Sequence, residues 1–216
     1  MIGFVLSRVL GLLRDAIIAG VFGNGMAFDA YVAASRPPET IFLVVAGGAL
    51  ASAFIPTFSS AIEQGQREQA WRLTNAVITL VTLAMALICV VCIIFARQIV
   101  ALWVPEFSVE KQALTAQLMR IMLISPIIFG ASGLLMGLLN AHQRFLLPAL
   151  APSLYNAGII FGALALAPVM GVSGLAWGVV IGAALHLLVQ LPGVAAIRLP
   201  FRPVLDVSDH GVREVV

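Results

Sequence analysis

Three ionisable side chains, Arg8, Arg14 and Asp15, lie inside an apolar stretch that runs from Met1 to Phe22 and stops at the turn signal Gly23-Asn24-Gly25. Roughly 20 apolar residues let a helix cross a hydrocarbon core of about 30 Å. Each charge near the middle of such a helix costs about 2.5–3.5 kcal/mol on insertion scales, and lipid returns none of it. These groups must therefore face other helices or a water-filled hollow. Arg36 and Arg120 fall in later apolar stretches, so the pattern expects a membrane-embedded hollow suited to an anion.

The rest of the chain has the same character. Of its 216 residues 61% are apolar and 10% charged, with a mean hydropathy of +1.07; a soluble domain carries roughly 25% charge. This composition expects an all-α, polytopic membrane bundle. The net charge of +2 points to no nucleic-acid partner. The opening lacks the basic lead, uninterrupted apolar core and small-residue cleavage site of a signal peptide.

Six spans are expected, at about 2–22, 28–60, 72–96, 112–140, 148–168 and 172–196, giving a transmembrane lobe over 1–197 and a polar tail over 198–216. Loops 61–71 and 141–147 and the tail share one side and carry Arg67, Arg72, Arg144, Arg198, Arg202 and Arg213. Loops 23–27 and 97–111 and the turn near 169–171 share the other side, with only Arg97 and Lys111. An excess of Lys and Arg marks cytoplasmic loops, which places the tail and the N-terminus in the cytoplasm. Loop 97–111, with Trp103 and Phe107 near Pro105, reads either as a segment lying in the outer interface, where aromatic rings settle, or as an ordinary loop with an aromatic anchor.

Small residues let membrane helices approach closely. Gly133 and Gly137, Gly158 and Gly162, and Gly174, Gly178 and Gly182 are spaced for that, and are expected to form packing seams within the chain. Pro37-Pro38, which removes two backbone donors, and Gly47-Gly48 should bend the second span. Pro126, Pro152 and Pro192 are candidates to bend later ones. Bent or broken membrane helices line cavities or are buried in protein.

Arg8 and Asp15 are seven residues apart and return to nearly the same helix face, with Gly11 between them; Arg14 points about 100° away from Asp15. Asp29 begins the second span, and Arg36 and Glu39 are spaced to pair. Two readings stay open. Either Arg8, Arg14 and Arg36 are neutralised by Asp15, Asp29 and Glu39 and merely fasten the first two helices together, or at least one guanidinium serves an anionic ligand. Arginine suits phosphate because its planar fork donates two parallel bonds. Arg120 equally fits snorkelling to the interface.

Other features carry less. Cys89 and Cys92 have CxxC spacing but lie in a continuous apolar run without partner ligands, and read as small buried side chains. His186, with Gln190 four residues on, reads as a packed or hydrogen-bonded core group, with a proton relay the lesser alternative. Asn140 to Phe145 reads as a turn, with Asn140 and His142 bonding helix ends. The sequence offers no metal-ligand spacing, nucleotide-binding loop or nucleophile–base pair, so neither a cofactor nor an enzyme is expected.

Four segments together resemble one family. Ser7–Asp15 resembles S-R-x-x-G-x-x-R-D, Phe22–Tyr31 resembles F-G-x-G-x-x-x-D-A-[FY], Gly47–Phe58 resembles G-A-x-x-x-A-F-[IV]-P-x-[FL], and Leu138–Asn156 resembles L-N-x-x-x-R-F-x-x-P-A-x-A-P-x-x-x-N. These are signatures of the MurJ/MviN family of lipid II flippases, in the multidrug/oligosaccharidyl-lipid/polysaccharide exporter superfamily. The resemblance implies two lobes around a central cationic cavity. This chain would cover the first six spans, with 198–216 as the cytoplasmic linker ahead of a second lobe. It implies the bacterial plasma membrane, membrane lipids and lipid II as partners, and alternating access that moves the lipid-linked precursor from the inner to the outer leaflet. Carried over by position, Arg14 would bind the substrate pyrophosphate, Arg8 would support transport or pack the first helix, and Asp15 and Asp29 would pair with arginines and help gate the lobes. The chain departs from the pattern at Phe42 and Gly47, where many members carry an arginine and an acidic residue. Two alternatives are an exporter of another lipid-linked sugar or of a drug in the same superfamily, and a non-transporting scaffold of cell-wall assembly.

Overall fold

A computed structural model describes residues 2–23, 25–49 and 67–197. Most of the Gly47–Phe58 motif, the end of the second expected span, loop residues 61–66 and the tail from Arg198 lie outside them. The described chain is helical, with no strand among the described residues. Its helices are α1 (Ile2–Phe22), α2 (Met26–Ala49), α3 (Arg67–Ile94), α4 (Ala96–Trp103), α5 (Val109–Met122), α6 (Ile124–Ala141) and α7 (Leu146–Phe161). A π-helical turn, Gly162–Leu166, then leads into α8 (Ala167–Met170), α9 (Val172–Leu188) and α10 (Leu191–Ile197).

Among the described residues, four helical runs are long and apolar enough to cross a membrane: Trp71–Ile94, Val109–Ala141, Leu146–Met170 and Val172–Ile197. At 21 and 24 residues, α1 and α2 have the length, since each residue adds about 1.5 Å. Their charges, Arg8, Arg14 and Asp15 in one and Asp29, Arg36 and Glu39 in the other, set them apart from the four by composition.

The breaks in these runs fall where a side chain can replace a lost backbone bond. Pro126 has no N–H for the carbonyl four residues back, that of Met122; the Ser125 hydroxyl donates to it instead, at 2.7 Å, where α5 gives way to α6. Between α9 and α10 the Gln190 amide donates to the His186 carbonyl at 2.8 Å, and Pro192 occupies the first turn of α10, where its missing N–H costs nothing. Pro168 follows the π-helical turn in the same way. At Pro37-Pro38 the helix is not interrupted: α2 is one helical run across that pair and across Gly47-Gly48. The Ser35 and Thr40 hydroxyls flank the prolines and donate to the carbonyls of Val32 and Arg36, both at 2.9 Å. Such local bonding and burial of Pro38 let a membrane helix keep an internal proline. Loop 97–111 contains the helix α4, which buries Ala96 and Val100 and exposes Leu102 and Trp103.

The glycine seams of the fifth and sixth expected spans are internal. A Cβ on Gly158 would collide with the backbone of Gly182, one on Gly162 would meet Gly178 Cα at 2.5 Å, and one on Gly174 would meet Leu166 at 2.5 Å. The glycines of the fifth and sixth expected spans therefore face each other, bringing α7 and the π-helical turn into backbone contact with α9. On the other side of α7 lies α1, where a Cβ on Gly3 would meet the Ala149 carbonyl oxygen at 2.7 Å. Two apolar cores result. One joins Leu118, Met119, Leu123, Leu175 and Ile159 around α5, α7 and α9, and the other joins Val77, Met85, Leu134 and Leu138 between α3 and α6.

Candidate functional site

A cavity of about 480 Å³ opens between α1, α2 and the later helices. That volume is in the range of small-molecule sites. Its polar wall consists of Arg14 and Asp15 from α1, Tyr31, Ser35, Arg36 and Glu39 from α2, Ser125 before Pro126, and Tyr155 from α7; Phe42 and Phe129 are among its apolar members. Tyr31, Ser35, Pro38 and Phe42 recur at four- and three-residue steps, which lines them up on one face of α2. The close approach of α1 to α7 sets the depth of Arg14.

Asn156 fixes Arg14 in place. This amide, 7% exposed, donates from Nδ2 to the Ser7 carbonyl at 3.2 Å and accepts from Arg14 Nη1 at 3.0 Å. It stands beside Gly11, where a Cβ would make an ordinary 3.8 Å contact with Asn156 Nδ2. Arg14 Nε also donates to Asp15 Oδ1 at 2.9 Å, and Nη2 makes an ion-pair contact of 2.8 Å with the same oxygen. The two hydrogen bonds use two of the five N–H groups of a guanidinium, so among the described residues N–H groups remain to serve a ligand. Asp15 is 63% exposed, and exposed pairs are worth about 0–1 kcal/mol, so an incoming anion can compete with it. Arg36 and Glu39 make a longer contact of 3.7 Å with both side chains well exposed.

The other expected charged residues are placed apart from this wall. Arg8 stands six residues before Arg14, about 9 Å along the axis; it is exposed on α1 and does not line the cavity. Asp29 bonds Lys111 Nζ at 2.7 Å, so its partner is a lysine rather than the expected arginine, and that ammonium also lies 3.8 Å over the Phe107 ring. The pair ties the start of α2 to the start of α5. Arg120 lies outside the cavity wall as well. Its Nε donates to the Ile93 carbonyl at 3.1 Å, since the end of α3 leaves carbonyls without helical partners. Sequence reading gave no role to Asn156, Tyr31 or Tyr155. Two signals were available: Tyr31 and Asn156 each close one of the family motifs, and Asn156 and Tyr155 are polar groups within an otherwise apolar helix.

A family model described as lipid II flippase MurJ matches residues 18–216. The chain is 33% identical to the lipid II flippase MurJ of Burkholderia cenocepacia over 98% of its own length and 43% of that protein. It is 30% identical to a probable lipid II flippase MurJ of Synechocystis over 100% of its own length and 42% of that protein. Among solved structures it is similar to one described as lipid II flippase MurJ in an inward closed conformation, with a TM-score of 0.82 and 27% identity over 99% of this chain and 45% of that one. The chain thus spans less than half the length of these relatives. The match covers nearly all of a multi-pass helical membrane fold whose first helix carries a positioned arginine into a hollow, and the chain belongs to the lipid II flippase MurJ family.

Proposed function

We propose that residues 1–197 form one lobe of a lipid II flippase of the bacterial plasma membrane, and that the cavity receives the head group of the lipid-linked precursor. The observation that carries this reading is Arg14, held by Asn156 at the wall of a cavity of about 480 Å³ with N–H groups to spare. Taking a bare pyrophosphate into hydrocarbon is prohibitive by desolvation. A wet hollow with a preset guanidinium replaces the lost hydration and leaves the polyprenyl tail in lipid. Arg14 binds the pyrophosphate directly, and Arg8, on the same helix, is a second cation along its path. Asp15 and Glu39 hold Arg14 and Arg36 until the anion takes their place, and Asp29 with Lys111 closes one end of the lobe.

In this reading α1 and α2 also cross the membrane, the basic loops and the segment 198–216 are cytoplasmic, and a second lobe completes the hollow. Rocking of the two lobes exposes the site to each leaflet in turn. Residues 1–216 by themselves bind the head group without moving it.

The test is binding of lipid II with a shortened polyprenyl chain to the purified chain in detergent. Arg14→Ala is expected to weaken binding at least about tenfold, the loss of a charge-assisted bond of roughly 1.5–3 kcal/mol, while leaving membrane insertion intact. Equal binding by the native and Arg14→Ala chains refutes the assignment.

A further inference from the structure

Behind the cavity lies a buried polar cluster with no role in the site just described. Ser132 Oγ is 2.7 Å from His186 Nδ1. Gln190 Nε2 is 2.8 Å from Ser132 Oγ and 2.8 Å from the His186 carbonyl. Gln190 is 0% exposed, Ser132 0% and His186 6%. The amide has two N–H groups, which serve the carbonyl and Ser132 Oγ. One proton bridges Ser132 Oγ and His186 Nδ1, from the hydroxyl or from the ring, and in either case the bond fixes the ring plane.

That ring meets Phe129 edge to face, at 5.2 Å between centroids and 73° between planes. Phe129 in turn meets Tyr155 at 5.1 Å and 74°, and Phe42 at 5.3 Å. Phe129, Tyr155 and Phe42 all line the cavity. A continuous chain of contacts thus runs from Gln190, at the break between α9 and α10, to the wall that faces Arg14.

We propose that Ser132, His186 and Gln190 are positioning residues for the head-group site: they lock the His186 ring against Phe129, and Phe129 sets where Tyr155 and Phe42 stand. This rests on reading the cavity as the head-group site. Stability alone is a poor reason for such a cluster. Gln190 Oε1 is buried without a hydrogen-bond partner among the described residues, and a buried orphan acceptor is a penalty that an apolar side chain of equal volume avoids. What a bonded polar cluster supplies and an apolar one does not is a single ring orientation. Edge-to-face aromatic contacts then carry that orientation onward.

The chain has two tyrosines, Tyr31 and Tyr155, and both line the cavity. Labelling with 3-fluorotyrosine therefore gives two fluorine resonances, assigned with Tyr31→Phe, that report on this wall without any ligand. Ser132→Ala is expected to shift or split the Tyr155 line and leave the Tyr31 line in place, and Ser132→Thr, which keeps the hydroxyl, restores it. Phe129→Leu produces the same change downstream of the cluster. Head-group affinity in Ser132→Ala falls on the order of five- to tenfold, as expected for one buried hydrogen bond. If Ser132→Ala does not fold, Gln190→Met, similar in volume, makes the same comparison. A Tyr155 line that Phe129→Leu moves but neither cluster variant moves overturns the proposal. A native chain that binds no lipid II overturns the proposed function instead, and the fluorine spectra still decide the positioning role.

Discussion

Arg14 owes its position more to Asn156 than to Asp15. The carboxylate is 63% exposed and well screened, whereas Asn156 is 7% exposed and pinned by the Ser7 carbonyl at 3.2 Å. Asn156→Ala removes the acceptor for Arg14 Nη1 and leaves the Ser7 carbonyl without its side-chain donor. It is expected to cost about 1–3 kcal/mol, read as a lower melting temperature in detergent, together with weaker head-group binding. Asn156→Asp separates the two effects. It keeps the shape and the acceptor for Arg14 but adds a negative charge, so head-group affinity falls at least as far as in Asn156→Ala while the Arg14 contact persists. Equal or tighter binding by Asn156→Asp would mean that Arg14 does not meet the anion. Arg14 was legible in the sequence because a charge in an apolar stretch demands an explanation. Asn156 was not, because its meaning lies in a partner 142 residues away. Nor was the fate of Asp29 and Arg120, whose partners Lys111 and the Ile93 carbonyl are supplied by helix ends that only the packed fold brings near.

The helices of the lobe are fastened by what their surfaces lack. Along the seam between α7 and α9 the neighbour of each glycine is backbone, which cannot turn aside. Gly162→Ala places a methyl 2.5 Å from Gly178 Cα and 2.8 Å from the Gly174 carbonyl oxygen. Overpacking of this kind costs about 1–3 kcal/mol, and the rigidity of the neighbour puts this case at the upper end. Gly20→Ala in α1 meets nothing within 4 Å and is expected to be neutral or to stabilise by up to about 1 kcal/mol through helix propensity. Thermal unfolding of the two variants side by side checks the contrast, and equal melting temperatures would refute a tight seam. The spacing of these glycines was visible in the sequence; that the two runs face each other was not, because spacing fixes a face and not its partner. The prolines teach the same lesson. Pro37-Pro38 looked like the strongest breaker, yet α2 runs through it beside the Ser35 and Thr40 hydroxyls. The weaker signals at Pro126 and Pro192 mark real breaks, because Ser125 and Gln190 take over carbonyls there.

Across the whole molecule, two contacts define opposite ends of the bundle. At one end Asp29 meets Lys111, joining the start of α2 to the start of α5. At the other the Trp71 and His142 rings stack at 5.7 Å with planes 5° apart, joining the start of α3 to the turn after α6. Trp71 and His142 belong to two segments, 61–71 and 141–147, that the charge count placed on one side. The proposed function adds a direction: the Trp71 and His142 end carries Arg72 and Arg144, and the positive-inside rule makes it the cytoplasmic end in that reading. Single cysteines in a background lacking Cys89 and Cys92 test this in intact cells with a membrane-impermeant maleimide. Ser108 caps the start of α5 and Gln143 lies in the turn after α6, and both are exposed. Ser108→Cys is expected to label in intact cells, and Gln143→Cys only after the membrane is opened. Reversed labelling would invert the lobe, move the Asp29–Lys111 latch to the cytoplasmic end, and leave the head group no path from the inner leaflet past Arg14 in the direction proposed.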